Sequence, residues 1–324
     1  MINVGLIGYG HWGPKLARCL AAADDVALTS ICDLSADRLA LAAAAHPRAR
    51  LAADWRELVA DPRTDAVAVA TPAASHAEIA LAALRQGKHV LVEKPMARSV
   101  AEARALVEES RRRERVLLVD HTFLFSPAVA AIRDLLAAGT LGEPSLVDAV
   151  RLGPGIVRGD VNVVWDLAVH DLSILQHVLP RAPRAVQARG LTPGGGLAQI
   201  AHLALHYEGP LLAQIRVSWR APVKTRRMTI RGTRAVLAYD DLDPRAKIQV
   251  AEGAGRPPWS PPLAEVEPLA AVVAHFADCI ASGRTPLSGG EAGLAIVGLA
   301  EAACQSLSLD GRPVELAGAE TAAA

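Results

Sequence analysis

The first 120 residues alternate short apolar runs with longer alanine-rich stretches, and this alternation restricts the fold more than any other feature. The runs are apolar at consecutive positions, which suits strands buried on both faces of a parallel sheet. The stretches between them are typical of helices, and Ser75 with Glu78 and Ser99 with Glu102 have the spacing of capping boxes. Alternating strands and helices predict a doubly wound α/β domain. The predicted strands are 2–7, 26–31, 65–70, 89–93 and 115–120.

The pattern changes near residue 121, where apolar runs separated by short turns replace the alternation. A helix is predicted over 127–138, because Pro127 suits its first turn and Gly139 its end. Successive strands with tight turns between them indicate an antiparallel sheet, and a helix over 163–179 lies among them. The predicted strands are 145–152, 184–191, 198–207, 211–219, 226–232 and 235–239, and two late helices cover about 266–282 and 289–306.

The composition argues against several classes of partner. The chain has 324 residues, 51% of them hydrophobic, and equal numbers of basic and acidic residues, 34 each. Bulk charge therefore predicts no nucleic-acid or membrane partner, and no apolar run reaches the length of a membrane helix. The four cysteines form no C-x-x-C pair, so a metal site or a redox motif is not expected. Buried, reduced thiols in a cytoplasmic protein are the prediction.

The loop GYGHWG at 8–13 fits the pattern G-x-G-x-x-G, and it follows a predicted strand and opens a predicted helix. Gly8 would permit the tight turn, Gly10 would let the backbone approach a pyrophosphate, and Gly13 would let the helix pack closely on the sheet. The helix N-terminus would then attract the phosphates. His11 and Trp12 lie in the same loop and are predicted to contact the cofactor. An ordinary strand-to-helix turn is the alternative.

Asp33 ends the second predicted strand, about twenty residues beyond the glycine loop. A carboxylate there accepts hydrogen bonds from an adenosine ribose and repels a 2′-phosphate, so NAD is predicted in preference to NADP. Arg38 could bind a 2′-phosphate if it turned inward. Asp33 could also cap the helix that begins near Ser35.

Thr71 and Pro72 end the predicted strand 65–70, and His76 follows in the next helix. Residues beyond the carboxyl ends of strands line the ligand crevice of an open α/β sheet. Thr71 and Pro72 are therefore predicted to flank the ribose or the nicotinamide. His76 is interpreted as a helix-surface residue or as a group that supports the cofactor site from behind, and a catalytic role is the alternative.

Glu93-Lys94-Pro95 ends the strand at 89–93, where Glu93 and Lys94 are predicted to contact the cofactor. Asp166-x-x-x-His170 lies some seventy residues later. Oxidation of a secondary alcohol needs a base for the hydroxyl proton, and the ordinary pKa of histidine suits that exchange. A lysine can hydrogen-bond the same oxygen as it becomes an alkoxide. Asp166 and His170 are four apart, so on one helix they share a face. A solvated strand end and a surface helix pair are the alternatives.

In this order, GYGHWG, TPAASH (71–76), EKP (93–95) and WDLAVHD (165–171) resemble the glucose–fructose oxidoreductase / inositol dehydrogenase (Gfo/Idh/MocA) family. The resemblance covers roughly 1–315. It implies an NAD-binding Rossmann domain over 1–120 and a substrate-binding α/β domain over 121–324, with a large, open, mostly antiparallel sheet and its last helices returning toward the first domain. It also implies Lys94 as catalytic lysine, His170 as general acid/base and Asp166 as a substrate-binding or supporting carboxylate.

The resemblance implies a sugar, nucleotide sugar or cyclitol as substrate and assembly into a homodimer or homotetramer. The alternating run at 198–207 suggests an apolar sheet face that would drive this assembly. Asn162 and Trp165 stand where the family often has glycines, and they are predicted to edge the substrate pocket, together with Arg158 in the preceding loop. An exposed loop arginine is the alternative for Arg158.

The sequence leaves two other functions open. A non-catalytic NAD- or sugar-sensing regulator on the same fold could dispense with the lysine or the histidine, whereas this chain has both. An aldehyde dehydrogenase would need a thiol nucleophile, and Cys32 lies at a strand end predicted to be on the wrong side for substrate.

Overall fold

The computed structural model describes residues 1–155, 157, 159–253 and 255–316. Strands and helices alternate as far as β6, after which strands predominate. In chain order the elements are β1 (Ile2–Ile7), α1 (Gly13–Ala22), β2 (Val26–Cys32), α2 (Ala36–Ala45), β3 (Arg50–Ala52), α3 (Trp55–Ala60), β4 (Ala66–Val69), α4 (Ala73–Arg85), β5 (His89–Glu93), α5 (Val100–Arg113), β6 (Leu117–Asp120), α6 (Pro127–Ala137), β7 (Pro144–Pro154), α7 (Val169–Val178), β8 (Ala185–Leu191), β9 (Ile200–His206), β10 (Leu212–Ser218), β11 (Arg220–Gly232), β12 (Val236–Asp240), β13 (Ile248–Ala251), α8 (Pro268–Ser282), α9 (Gly290–Ser308) and β14 (Val314–Glu315).

The chain divides into two compact units. The first comprises Met1–Phe125 and Val266–Val297, and the second comprises Ser126–Glu265 and the chain from Gly298 onward. The division therefore falls five residues later than the predicted boundary, and α8 with the start of α9 belongs to the first unit. A 3₁₀ turn at Thr122–Phe125 ends the continuous part of that unit.

The first unit is built on a six-stranded parallel sheet in the order β3-β2-β1-β4-β5-β6. Every residue of β4 and β6 is buried, as the consecutively apolar runs predicted. Phe276 of α8 is fully buried in a core cluster with residues of β1 and α1. The order reverses between β1 and β4, which is the point where open α/β sheets bind their ligands. The doubly wound α/β domain is thus confirmed.

Helix starts in this unit follow local chemistry. Ser99 caps α5, and its hydroxyl accepts from the backbone N–H of Glu102 at 3.2 Å, as predicted. The box predicted at Ser75 is wrong, because α4 begins two residues earlier at Ala73. Pro72 has a fixed φ that suits the residue before a helix, and the Ser75 hydroxyl instead donates to the Pro72 carbonyl at 2.9 Å.

The second unit contains an eight-stranded sheet in the order β13-β12-β11-β7-β10-β9-β8-β14. Its pairs are antiparallel except for β7 with β10, so the predicted mostly antiparallel sheet is confirmed. Residues of α7 are buried along almost its whole length. Ser306 of α9 accepts from the backbone N–H of Ala188 in β8 at 2.8 Å, which fixes the end of that helix on the sheet.

The alternation predicted in β9 is present, but its apolar half faces the interior. Ala201, Leu203 and Leu205 are buried, whereas His202 is exposed. The expectation of an apolar open face is therefore wrong at this strand. The depression over β7 to β10 on that face is lined largely by polar and charged groups, namely Asp148, Gln187, Arg189, His202, Gln214 and Arg216.

Candidate active site

The turn between β1 and α1 needs two of its glycines for backbone packing and leaves space at the third. Gly8 has a φ of +98°, and a Cβ there would lie 2.6 Å from the Ala70 carbonyl oxygen. A Cβ at Gly13 would collide with the Gly8 carbonyl oxygen. A Cβ at Gly10 would meet only the Arg38 guanidinium, at 3.7 Å. The backbone at Gly10 is therefore open to an approaching pyrophosphate.

The N-terminus of α1 has no side-chain cap of its own. Trp12 occupies the N-cap position without a capping hydrogen bond, and Pro14 follows in the first turn. Uncapped N–H groups at a helix N-terminus attract anions. His11 is exposed and Trp12 is half-buried, with the Lys15 ammonium 4.5 Å from its ring centroid.

Asp33 is fixed at the end of β2 by the glycine turn. It is 7% exposed, and its two oxygens accept from the backbone N–H of Tyr9 at 2.7 Å and of Ser35 at 2.9 Å. Arg38 lies 3.6 Å from the same carboxylate and keeps more than half of its side chain exposed. Asp33 supports the helix cap only indirectly, because Ser35 is the residue that caps α2. Asp33, a possible acceptor for a ribose hydroxyl, and Arg38 therefore lie next to each other beside the glycine turn.

His76 is buried rather than on a helix surface, which corrects the first of the two interpretations offered for it. Its Nδ1 lies 2.8 Å from the carbonyl oxygen of Pro95, and its Nε2 lies 2.7 Å from that of Thr71. The imidazole thus joins the segment after β4 to the segment after β5. The Thr71 hydroxyl accepts from the Ser75 hydroxyl at 2.8 Å, while Pro72 is exposed.

Glu93 and Asp120 form a carboxyl pair at the carboxyl ends of β5 and β6, and Lys94 follows Glu93 directly. The two acidic residues are paired in register, and their carboxyl groups are hydrogen-bonded. Burial, followed by the charge of Asp120, raises the pKa of Glu93 well above its usual range. Lys94 is half-buried, and the Lys94-Pro95 peptide bond is cis.

His121 lies beside this pair and is uncharged at neutral pH. Burial, with a smaller contribution from the charge of Lys94, lowers its pKa to about 3. Asp120 itself accepts from the hydroxyl of Thr122 at 2.7 Å and from the indole N–H of Trp12 at 3.3 Å. The glycine turn and the residues around Lys94 are therefore connected within the first unit.

Asp166 and His170 lie where a π-helical turn, Val164–Ala168, leads into α7. The prediction of a regular helix from 163 is thus corrected for its first turn, in which the backbone N–H of Val169 bonds the carbonyl of Val164. Single π turns inside helices are frequent at functional sites. Both side chains are half-buried.

Trp219 holds the carboxylate of Asp166. Its indole N–H donates to Asp166 Oδ2 at 2.9 Å, and the Trp219 residue is only 2% exposed. An indole can only donate, so the bond fixes which oxygen of Asp166 faces the ring. Sequence reasoning missed Trp219, because its distance of 53 residues from Asp166 leaves no local signal.

Asn162 precedes the π turn and bonds its first residues, and Trp165 is the second residue of that turn. The side-chain oxygen Oδ1 of Asn162 accepts from the backbone N–H groups of Val164 at 3.0 Å and Trp165 at 3.3 Å. Its amide donates to the thiol of Cys304 at 3.3 Å, and Trp165 is buried. A substrate contact by Asn162 or Trp165 stays a prediction, and Arg158 lies outside the described residues.

A buried ion pair anchors the residue after His170. Arg151 of β7 donates two parallel hydrogen bonds to Asp171, at 2.8 and 2.9 Å, and both side chains are about 5% exposed or less. A bidentate pair of this kind fixes geometry as well as charge. The sequence did not indicate Arg151 as the partner of Asp171, because the two residues meet only in the folded chain.

The Cys32 thiol is buried and protonated. Burial raises the pKa of the Cys32 thiol to about 12, so it is protonated at neutral pH. Within residues 1–155, 157, 159–253 and 255–316, no group of three or more His, Cys, Asp or Glu side chains could hold a metal ion. No helix in that same part of the chain is long and apolar enough to cross a membrane.

The first unit fits a dinucleotide on its own geometry. The open backbone at Gly10, the uncapped start of α1 and the buried carboxylate of Asp33 are the features that a pyrophosphate and an adenosine ribose require. Residues predicted for the cofactor and brought together here are Gly8, Gly10, Trp12, Gly13, Asp33, Thr71, His76, Glu93 and Lys94.

Comparison with known proteins agrees with this fit. Residues 2–121 match the family described as "Oxidoreductase family, NAD-binding Rossmann fold", and residues 129–238 match the "GFO/IDH/MocA C-terminal domain". The chain is similar to UDP-N-acetylglucosamine 3-dehydrogenase of Acidithiobacillus ferrooxidans, with 31% identity over 92% of this chain and 95% of that protein.

Solved structures show the same fold. A crystal structure of the Acidithiobacillus ferrooxidans enzyme superimposes with a TM-score of 0.85 at 28% identity, covering 95% of this chain and 98% of that one. An oxidoreductase from Agrobacterium radiobacter in complex with NAD⁺, L-tartaric acid and magnesium has a TM-score of 0.85 at 22% identity, over 97% of this chain and 98% of that one, and shows the fold alone. The chain therefore belongs to the Gfo/Idh/MocA oxidoreductase family, and its first unit is the NAD-binding Rossmann domain of that family.

Proposed function

We propose that this protein is an NAD-dependent dehydrogenase or ketoreductase that transfers a hydride between nicotinamide and a secondary alcohol or ketone. The substrate class is a sugar, nucleotide sugar or cyclitol. Similarity over almost the full length to a nucleotide-sugar dehydrogenase supports this class. The chain is also similar to a myo-inositol 2-dehydrogenase from Thermotoga maritima, with 26% identity over 58% of this chain. This similarity supports including cyclitols in the proposed substrate class.

The observation that carries the cofactor assignment is the position of Asp33. Its carboxylate is held beside the glycine turn by the backbone N–H of Tyr9, where it can accept from both hydroxyls of an adenosine ribose and repel a 2′-phosphate. Arg38 is the competing feature, because it lies at the same carboxylate and its side chain remains half-exposed. We assign NAD because Arg38 is already paired with Asp33.

Three side chains carry the chemistry in this proposal. The bound nicotinamide supplies the hydride acceptor or donor. His170 takes the hydroxyl proton during oxidation and returns it during reduction. Lys94 hydrogen-bonds the same substrate oxygen as its charge develops. Asp166 binds a neighbouring hydroxyl or orients the imidazole, and Trp219 holds its carboxylate in place. That His170 and Lys94 act on the same substrate oxygen is inferred from the order of the sequence motifs.

The proposal extends to assembly and location. We infer a homodimer or homotetramer that associates through the open sheet of the second unit, with contacts that are more polar than the sequence suggested. The four cysteines are free thiols, which agrees with a reducing cytoplasm.

Titration of NADH and NADPH, followed by nicotinamide fluorescence, tests the cofactor assignment. We expect NADH to bind at least tenfold more tightly, and Asp33→Ser to narrow the difference by relieving repulsion of the 2′-phosphate. Equal or reversed affinities would mean that Arg38 controls the site. A panel of sugars, nucleotide sugars and cyclitols with the preferred cofactor then tests the activity, and tight NADH binding without any turnover would favour the sensing regulator.

A further inference from the structure

Glu93 and Asp120 form a carboxyl pair that the proposed chemistry does not use. The two residues are Cα partners at the ends of β5 and β6, and Asp120 is 1% exposed. Two carboxylates cannot hydrogen-bond each other unless one of them carries a proton, because an ionised carboxylate only accepts. Glu93 Oε1 is buried and has no hydrogen-bond partner among the described residues, which is a costly position for an ionised oxygen.

Neutral donors, one neutral imidazole and one cation surround the pair. Asp120 receives neutral donors, the Thr122 hydroxyl and the Trp12 indole N–H. Lys94, directly after Glu93, supplies the positive charge that favours ionisation of the pair. His121 is held neutral by burial and by Lys94. The raised pKa of Glu93 agrees with a shared proton.

The pair lies on the nicotinamide side of the predicted cofactor path. Asp33 directly follows β2, which lies on one side of β1 in the sheet. Strands β5 and β6 lie on the other side of β1. A dinucleotide with its adenosine ribose at Asp33 crosses the glycine turn toward the ends of β4, β5 and β6. The 3.3 Å contact of Trp12 with Asp120 joins that turn to the pair directly.

We propose that the Glu93–Asp120 pair makes cofactor binding depend on the oxidation state of nicotinamide, by losing its shared proton when NAD⁺ binds and keeping it when NADH binds. This rests on the proposed function. The oxidised ring carries a positive charge and the reduced ring does not. A cation close to a carboxyl group favours its ionised form by about 1–3 pKa units. The Glu93 acid releases its proton to solvent, two carboxylates remain, and no bond of the cofactor changes.

Isothermal titration calorimetry of the full chain tests this, with NAD⁺ and NADH each titrated in phosphate and in Tris at about pH 7. The difference in heat between buffers gives the number of protons released. We expect about one proton per NAD⁺ and none per NADH. Because binding releases a proton, the affinity for NAD⁺ should rise with pH, by up to about tenfold per pH unit, while the affinity for NADH stays flat.

Two variants and one control identify the source of the proton. Glu93→Gln removes the acid that releases the proton, so it should bind NAD⁺ without release. Asp120→Asn removes the neighbouring charge that helps to raise the pKa of Glu93, so it should release less than the unmodified protein does. Asp65→Asn is the matched control, since Asp65 is an exposed carboxylate that precedes β4 at the opposite edge of the sheet. It should release protons as the unmodified protein does.

Release that is absent with NAD⁺, equal with NADH, or retained in both variants would overturn the proposal. If one variant does not fold, the other and the unmodified protein still decide it. Failure of both nucleotides to bind would instead refute the proposed function, and calorimetry shows this separately as the absence of any binding heat.

Discussion

The two units stabilise their buried carboxyl groups in different ways. In the first unit, Glu93 is paired with Asp120 and burial raises the pKa of Glu93, while Asp120 accepts hydrogen bonds from neutral donors. In the second unit, Asp171 is paired with the guanidinium of Arg151, and Asp166 accepts from the indole of Trp219. Arginine does not lose its charge in the accessible pH range.

This difference determines how each set of residues responds to a ligand. A pair that shares a proton can change its net charge by one unit when a charge arrives nearby. A bidentate ion pair keeps both its charge and its geometry, and breaking it leaves a buried charge without compensation. We therefore expect the first unit to respond to the cofactor by proton exchange, and the second to act as a fixed frame.

The largest expected effect concerns His170 and Lys94, the two groups proposed to act on the substrate oxygen. His170→Ala should lower kcat by about 10²–10⁴. It should leave NAD affinity within a few-fold, because the glycine turn and Asp33 belong to the first unit. Lys94→Ala should also lower kcat and should weaken cofactor binding, since Lys94 follows β5 at the end of the sheet where the nicotinamide is predicted. Steady-state kinetics with an accepted sugar or cyclitol measures both.

The double variant sharpens this prediction. Two groups that serve one oxygen act together, so His170→Ala with Lys94→Ala should lose much less than the product of the two single losses. Fully multiplicative losses would mean that they act independently. His170→Ala with more than about a tenth of the original kcat would contradict the general-base role.

The second prediction tests the fixed frame through stability. Arg151→Met removes one member of a buried pair and should lower the free energy of unfolding by about 3–5 kcal/mol. Arg227→Met is the matched control, because Arg227 donates to Asp240 at 2.7 Å from the same sheet but has 68% of its side chain exposed. That loss should be about 0–1 kcal/mol.

Urea denaturation followed by circular dichroism measures both losses as shifts of the midpoint at constant slope. Similar losses for the two arginines would show that burial of the Arg151–Asp171 pair does not matter, and the second unit would then lack the fixed frame that distinguishes it from the first.

The first unit was the more predictable of the two, because its chemistry follows local patterns. Strands β1 and β5 have the predicted limits, and the glycine turn with Asp33 has the predicted context. The strand β3 was missed, since its three residues, Arg50–Ala52, give no usable periodicity, and α3 was therefore not separated from the helical stretch before it. Asp120 was missed as a partner of Glu93 because register between strands depends on the assembled sheet.

The second unit shows where a single sequence stops being informative. The positions of Asp166 and His170 were predictable as a motif, but the π turn that carries Asp166 was not, since no glycine or proline marks it. The parallel pairing of β7 with β10 was hidden by short turns that suggested only antiparallel neighbours. Trp219 and Arg151 meet their acidic partners only through the tertiary fold.

The smallest effect we predict isolates one hydrogen bond of the fixed frame. Trp219→Phe removes the indole N–H that holds Asp166 and keeps most of the aromatic bulk. A hydrogen bond to a charged group contributes about 1.5–3 kcal/mol, so kcat/KM should fall by roughly ten- to a hundredfold. NADH affinity should be unchanged, because Trp219 and Asp166 both belong to the second unit.

Trp259→Phe provides the control, because the Trp259 indole makes the same kind of bond, to Glu252 Oε1 at 3.0 Å, but is 39% exposed. It should leave kcat/KM unchanged. The melting temperature of each variant separates a kinetic role from a purely structural one. If Trp219→Phe lowered the melting temperature while kcat/KM stayed constant, the bond would stabilise the π turn without positioning Asp166 for substrate. The frame of the second unit would then support the fold rather than the reaction.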